Sequence, residues 1–479
     1  MLSSSLKEAI KISLAVGLTI ALALFFQWDK PYWAAITVIA ISANESFGHG
    51  ILQGKLRIVG TLTGIFFALV LISLFSQDRM MFIACFHLFL GVCVFFSSHK
   101  RNGYAFTMAF TAFAIIAMLG GTNGTASFDI AILRIQETML GVVVYSAVYR
   151  FIWPVTTESL FFDTLKTVTK QFTLARKALV EAKTDKHILD AKSDLFANQQ
   201  HIDKLMELLA LPLASTYRLR YEKAKWQSVA LACDGIQAHL LKLAKGIQHE
   251  MDPNDLDNGL TQLGHELRLL NATITNEQSK DAELIQHWTK RDSRLDAKVD
   301  AKIDAAEARA VAGVGAKRRL QRQRLTNAIT AVASSLTCFA LWIYFAIPGG
   351  PIFPLLGAAL ANASVHMPVS LVRQAKLACL AWGALFLVEY CLVLTNITEL
   401  WQLVAFYSLN TLLIFTVFNK PSHVVIRILG GNMLLIMTMN ALHGTPKYEI
   451  ITPLLMLIIM LLSLTVARFY IRLFKAEPL

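Results

Sequence analysis

Two ionisable residues lie where so apolar a chain should not carry charge. Arg134 and Glu137 stand three apart within the run 130–153, so a helix places them on one face. Charge inside hydrocarbon is costly, and such residues turn toward partners or water in a helix bundle. Two readings follow for the pair. It is an internal salt bridge that fixes helix packing, or Arg134 meets an anionic substrate while Glu137 takes up and releases a proton. Asp129 and Gln136 crowd the same stretch. Glu389, in another apolar run, has no opposite charge at i±3 or i±4, which fits a carboxyl that is protonated or faces water, and so a second proton-coupling group. His87, set among phenylalanines, is a third: it could relay protons near neutral pH, or act as a hydrogen-bonded packing residue.

Other chemistry finds no support. The chain has no G-x-S-x-G, no G-x-x-x-x-G-K-[ST], no H-E-x-x-H and no kinase signature, so no catalytic residue is expected, nor a metal or cofactor. Without a phosphate-binding loop, transport would run on an ion gradient or downhill. The six cysteines, Cys85, Cys93, Cys233, Cys338, Cys379 and Cys391, form no C-x-x-C pair and read as small buried side chains. A net charge of +12 forms no single basic stripe, which argues against a nucleic-acid partner.

The elements that must position these residues follow from hydropathy. Of 479 residues 55% are hydrophobic and 16% charged, and mean hydropathy is +0.50. The average conceals a division. Residues 9–153 and 326–474 are apolar between short polar breaks, whereas 155–324 is rich in Lys, Asp, Glu and Gln. A helix needs roughly 20 residues to cross the hydrocarbon of a bilayer. On that scale the first half offers spans at 9–26, 32–46, 57–75, 81–97, 103–120 and 130–153. The second offers 326–347, 352–366, 371–395, 401–418, 425–441 and 450–474. Residues 1–26 resemble a secretory leader but offer no small-residue cleavage site, and read as a retained first span.

Basic residues gather at alternate breaks: Lys7 and Lys11, Lys55 and Arg57, Lys100 and Arg101, Arg150, Arg322 and Arg324, Arg373 and Lys376, Lys420 and Arg427, then Arg468, Arg472 and Lys475. Basic loops resist translocation, so this pattern predicts both termini and the polar insert in the cytoplasm. The expected fold is an all-α polytopic membrane protein. It comprises a first six-helix transmembrane half (1–154), a helical cytoplasmic domain (155–324) and a second six-helix half (325–479), the halves being repeats related by a parallel pseudo-twofold. Apolar spacing at Leu205, Leu208, Leu209, Leu240, Leu241 and Leu243 predicts several helices in the insert, broken near Pro212 and 252–255. Its basic end, Lys317 to Arg324, reads as a topology signal that contacts lipid headgroups.

In each half the second span is short, starts at a proline-aromatic step and ends in a polar cluster. Short helices at matching places in two repeats often line a central site. Trp33, Thr37, Asn44 and Glu45 would then line one side, and Phe353, Asn362, Ser364 and His366 the other. The alternative is an interfacial aromatic belt with polar caps, which suits Trp28 and Tyr32 better.

Four fragments carry a resemblance across residues 1–154. They are Pro31-Tyr32-Trp33-Ala34-Ala35-Ile36-Thr37-Val38, Arg57-x-x-Gly60-Thr61-x-x-Gly64, Arg134-x-x-Glu137-x-x-x-Gly141 and Trp153-Pro154. Their order and spacing resemble the fusaric acid resistance family, to which aromatic carboxylic acid exporters belong. The second half matches in layout more than in letters. The resemblance implies an inner-membrane, gradient-driven exporter of small, often aromatic, organic anions, commonly paired with a periplasmic adaptor protein. Aromatic residues near the short spans would receive the ring, Arg57 or Arg134 would attract the carboxylate, and Glu137, Glu389 or His87 would couple a proton. Membrane lipids are the other partner, and homo-oligomerisation stays open. An organic-anion channel and a membrane-anchored scaffold are the rival readings.

Overall fold

A chain segment in hydrocarbon must satisfy its own backbone hydrogen bonds, so apolar runs of this length are forced into helices. The computed structural model describes residues 3–42, 47–99, 102–121, 124–154, 156–181, 185–211, 217–248, 253–275, 314–345, 347–443 and 448–474. Among them every regular element is helical.

Twelve apolar helices fall in one compact unit, Met1–Pro154 with Lys317–Leu479. They are α1 (Ser4–Phe25), α2 (Tyr32–Ile41), α3 (Phe47–Phe75), α4 (Arg79–Ser97), α5 (Gly103–Leu119) and α6 (Gly124–Phe151), then α12 (Val314–Phe345), α13 (Ile352–Ser364), α14 (Val369–Leu392), α15 (Leu400–Val417), α16 (Val424–Met437) and α17 (Ile451–Phe474). Eight of the twelve are long and apolar enough to cross a membrane; α2, α5, α13 and α16 are shorter. The chain is thus an all-α polytopic membrane protein. Side chains such as Phe66, Leu88, Val143, Leu413 and Phe469 are exposed around the unit, as a surface that meets lipid requires.

Local chemistry sets the ends. Asp78 caps α4 by accepting from the amides of Met80 and Met81 at 3.0 Å. The span expected at 425–441 is not one helix: α16 stops at Met437 and a single 3₁₀ turn follows at Met439–Ala441. At the break, the Thr438 hydroxyl bonds back to the Leu434 carbonyl and pairs with the Tyr407 hydroxyl at 2.7 Å, giving the buried polar groups partners.

Packing follows matching paths in the two halves. α2 lies on α6 as α13 lies on α17, and α3 contacts α5 and α6 as α14 contacts α16 and α17. Gly60 and Gly64 let α3 approach α5 so closely that a Cβ at either would strike the carbonyl of Ala105 or Ala109. Between halves, α1 packs on α15, α2 on α16, and α13 on α5. The four short helices therefore pair across the halves. Their apolar faces bury Ala35, Val38 and Ile39 of α2 with Met433, Leu434 and Leu435 of α16, and Phe110 and Phe113 of α5 with Ala358 and Ala361 of α13.

The second unit, Val155–Ala316, contains α7 (Thr157–Glu181), α8 (Asp185–Ala210), the short α9 (Tyr217–Tyr221), α10 (Lys223–Gln248) and α11 (Pro253–Thr275). Their apolar stripes bury Phe161, Phe172, Leu205, Leu208, Leu240 and Leu263. A buried polar contact crosses that core, from Asn198 Nδ2 to Gln237 Oε1 at 3.4 Å. Residues 212–216 and 276–313, which include Pro212 and most of the alanine-rich stretch, lie outside the described residues.

Candidate functional site

One face of α6 carries Arg134, Glu137, Thr138 and Gly141, all buried, while Asp129 and Gln136 point outward. Arg134 and Glu137, in the middle of the helix, turn inward, where each finds a counter-charge that lipid would not supply. α2 packs on this face. A Cβ at Gly141 would stand 2.7 Å from the Ala34 carbonyl oxygen and 2.7 Å from Thr37 Cβ, so glycine is what lets the two backbones approach. One turn earlier along α2, Trp33 meets Arg134: the guanidinium carbon lies 3.5 Å from the centre of the indole. Flat stacking of this kind suits arginine, whose planar cation is weakly hydrated.

Arg134 Nη1 donates to Glu137 Oε2 at 3.3 Å, with side chains 9% and 1% exposed. That single bond leaves Arg134 Nη2 and Glu137 Oε1 buried and without a hydrogen-bond partner. Burying a charge pair is favourable only when its remaining lone pairs and protons are satisfied, so the site is incomplete as it stands. An acceptor is wanted at Nη2 and a donor at Oε1.

Further charges surround the pair. Asp29, Lys30 and Arg57 lie within electrostatic reach of Arg134 or Glu137, giving three cations against two carboxylates. Lys30, in the loop before α2, is held below the usual lysine range by burial first and then by the Arg134 charge. Arg57 of α3 donates to the Tyr104 hydroxyl of α5 at 2.9 Å and approaches Met108 Sδ at 3.2 Å. Thr37 Oγ1 donates back to the Trp33 carbonyl at 3.0 Å and stiffens the α2 turn that carries the indole.

The remaining expected residues lie elsewhere. Asn44 and Glu45 fall outside the described residues. Asn362 of α13 donates from Nδ2 to the Thr107 carbonyl of α5 at 3.2 Å and keeps a buried, unpartnered Oδ1. His366, at the end of α13, bonds Ser97 Oγ at 2.7 Å through Nε2 and lies 3.3 Å from Asn327 Nδ2 through Nδ1. Phe353 is fully buried in a separate apolar cluster with Cys338 and Ile459. His87 has both ring nitrogens engaged, Nδ1 with the Ile83 carbonyl at 2.8 Å and Nε2 with Ser335 Oγ at 3.0 Å. Glu389 is half-buried beside Asn410, with Oε2 buried and unpartnered. Asp29, Lys30 and Tyr104 around the arginines are additions from the fold. Asp29 and Lys30 directly precede the proline-aromatic step, a signal in the sequence, whereas nothing in the sequence pairs Tyr104 with Arg57.

Comparison with known proteins gives one family across nearly the whole chain. The profile of the fusaric acid resistance protein family matches residues 6–478. The p-hydroxybenzoic acid efflux pump subunit AaeB of Musicola paradisiaca is 34% identical over 148 residues, covering 29% of this chain and 23% of that protein. The subunits of the same name from Edwardsiella tarda and Yersinia pestis are 29% and 32% identical over 147 and 149 residues, again 29% of this chain and 23% of theirs. The matched stretch spans less than a quarter of the length of these relatives.

Proposed function

The chain belongs to the fusaric acid resistance protein family, and from that premise we propose that it exports small aromatic organic acids across the bacterial inner membrane, driven by a proton gradient. The observation that carries the reading is the Arg134 guanidinium, stacked on Trp33 and bonded once to Glu137, with Nη2 buried and unpartnered. An aryl carboxylate supplies what that arrangement lacks. Its carboxylate accepts from Nη2 in a charge-assisted bond, and its ring extends the indole surface. Glu137 Oε1 then accepts a proton or a hydroxyl donor. Exchange of that proton is the coupling step, because a protonated Glu137 releases Arg134 to the substrate, whereas an ionised one competes for it.

The reading extends to the whole bundle. The matching packing of α2 on α6 and α13 on α17, with short helices paired across the halves, supports two parallel repeats about a pseudo-twofold. Asn362, joined to Thr107 and with an unmet Oδ1, supports a second wall of the pathway on α13. The charge pattern supports cytoplasmic termini and a cytoplasmic insert. The pump-subunit names of the relatives support a periplasmic adaptor as partner.

Inverted vesicles containing the full chain test this. They should accumulate radiolabelled 4-hydroxybenzoate under an imposed pH gradient, and Arg134→Gln should abolish accumulation. Equal accumulation with the gradient collapsed would remove the proton from the mechanism. Ionic currents in planar bilayers too large for alternating access would favour a channel.

A further inference from the structure

At the end of α6 far from Arg134, a second group of charges lies between the halves, with Lys11 buried and Glu8 and Arg427 partly so. Tyr149 follows Arg134 by about 22 Å along the helix axis, at about 1.5 Å per residue. Lys11 of α1 is 1% exposed; its ammonium bonds Glu8 Oε1 at 2.7 Å and stands 5.1 Å from the centre of the Tyr149 ring. Tyr149 stacks on Tyr145 with centroids 4.2 Å apart. From the other half, α16 brings the half-buried Arg427, whose guanidinium lies 5.2 Å from the Phe415 ring of α15 and within electrostatic reach of Tyr149 and Glu8.

The charge pattern alone gives Lys11 and Arg427 no more than a topological role, yet a topology lysine reaches for headgroups or water. Lys11 does neither. Two cations here share one carboxylate. The Tyr145 hydroxyl, fully buried, and Arg427 Nε have no hydrogen-bond partner, and the Lys11 ammonium has donors beyond the one bonded to Glu8. The unmet groups are donors beside excess positive charge, so the ligand they suit is an anionic acceptor. The stacked tyrosine rings add a flat apolar wall for an aryl group.

We propose that Glu8, Lys11, Tyr145, Tyr149 and Arg427 form a second subsite for an aryl carboxylate, at the end of the bundle that the charge pattern assigns to the cytoplasm. Glu8 is the internal stand-in for the ligand. Its side chain is 37% exposed, so it can turn to water when a substrate carboxylate arrives, whereas the buried Lys11 stays in place. The subsite gathers substrate on the loading side before it reaches Arg134, and in that sense it rests on the exporter reading.

Equilibrium binding of radiolabelled 4-hydroxybenzoate to the full chain in neutral phosphatidylcholine nanodiscs is the test. Arg134→Gln should retain a saturable component, and adding Arg427→Gln or the milder Tyr145→Phe should weaken that component about tenfold, the effect of one lost charge-assisted hydrogen bond. Arg427→Lys should restore part of it. Binding unchanged by both Arg427→Gln and Tyr145→Phe overturns the proposal. So does phosphatidylglycerol retained by the unmodified chain and not by Arg427→Gln, with no aryl carboxylate bound, which would assign the pocket to a lipid headgroup. The component present without any export in vesicles would sink the exporter reading and leave the subsite standing.

Discussion

Gly141 of α6 faces Thr37 of α2 with no room for a side chain between them: a Cβ on the glycine would lie 2.7 Å from the threonine Cβ. Trp33 stands one turn before Thr37, and Arg134 two turns before Gly141, so this crossing sets the distance at which indole and guanidinium stack. Gly141→Val should force α2 away, destabilise the protein by about 1–3 kcal/mol through overpacking, and abolish export. Thermal unfolding in detergent together with vesicle uptake checks it, and full uptake by a destabilised variant would detach the stack from transport.

The ion pair itself separates architecture from function. Arg134→Gln leaves the Glu137 carboxylate buried and unpaired, a loss of about 3–5 kcal/mol if the carboxylate stays ionised. Adding Glu137→Gln removes the stranded charge and should recover most of that stability. Export should not recover with it. Unfolding of the two variants side by side measures the first effect, and export by the stable double variant would reduce the pair to a packing device.

His87 should behave as a packing group. Ser335→Ala strands His87 Nε2 and should cost about 1–3 kcal/mol, whereas His87→Leu with Ser335→Ala removes both partners and should lie close to the unmodified chain. The pH profile of uptake should be the same in all three. A displaced profile in the double variant would return His87 to the proton path.

Burial in the helical insert pushes the Cys233 thiol up to about 12, with the Asp234 carboxylate adding to the shift. A raised thiol pKa depletes the reactive thiolate, to roughly one part in 10⁴ at pH 8. Cys233 should therefore resist maleimide in the native protein, gain reactivity as pH rises toward 12, and label rapidly in denaturant. Rapid native labelling would show that the α10 core opens.

Much of the fold was legible because hydropathy and flanking charge are properties of each segment against its solvent, independent of the other segments. Twelve apolar helices, and the shortness of α2 and α13, follow from that alone. So does the presence of Arg134 and Glu137 on one face. The shortness of α16 was not legible, whereas the run 103–120 already gave the extent of α5. The apolar run of α16 continues past the helix end, and at the break Thr438 pairs with Tyr407, a residue on another helix.

The tertiary structure decided which residues meet. That Arg134 meets Trp33 and His87 meets Ser335, while Phe353 settles beside Cys338 and Lys11 beside Tyr149, depends on how helices distant in the chain cross, as Gly141 lets α2 and α6 do. A sequence read along the chain shows which side chains lipid would reject. Only packing shows what each rejected side chain finds, because the choice of partner is made between helices distant in the chain.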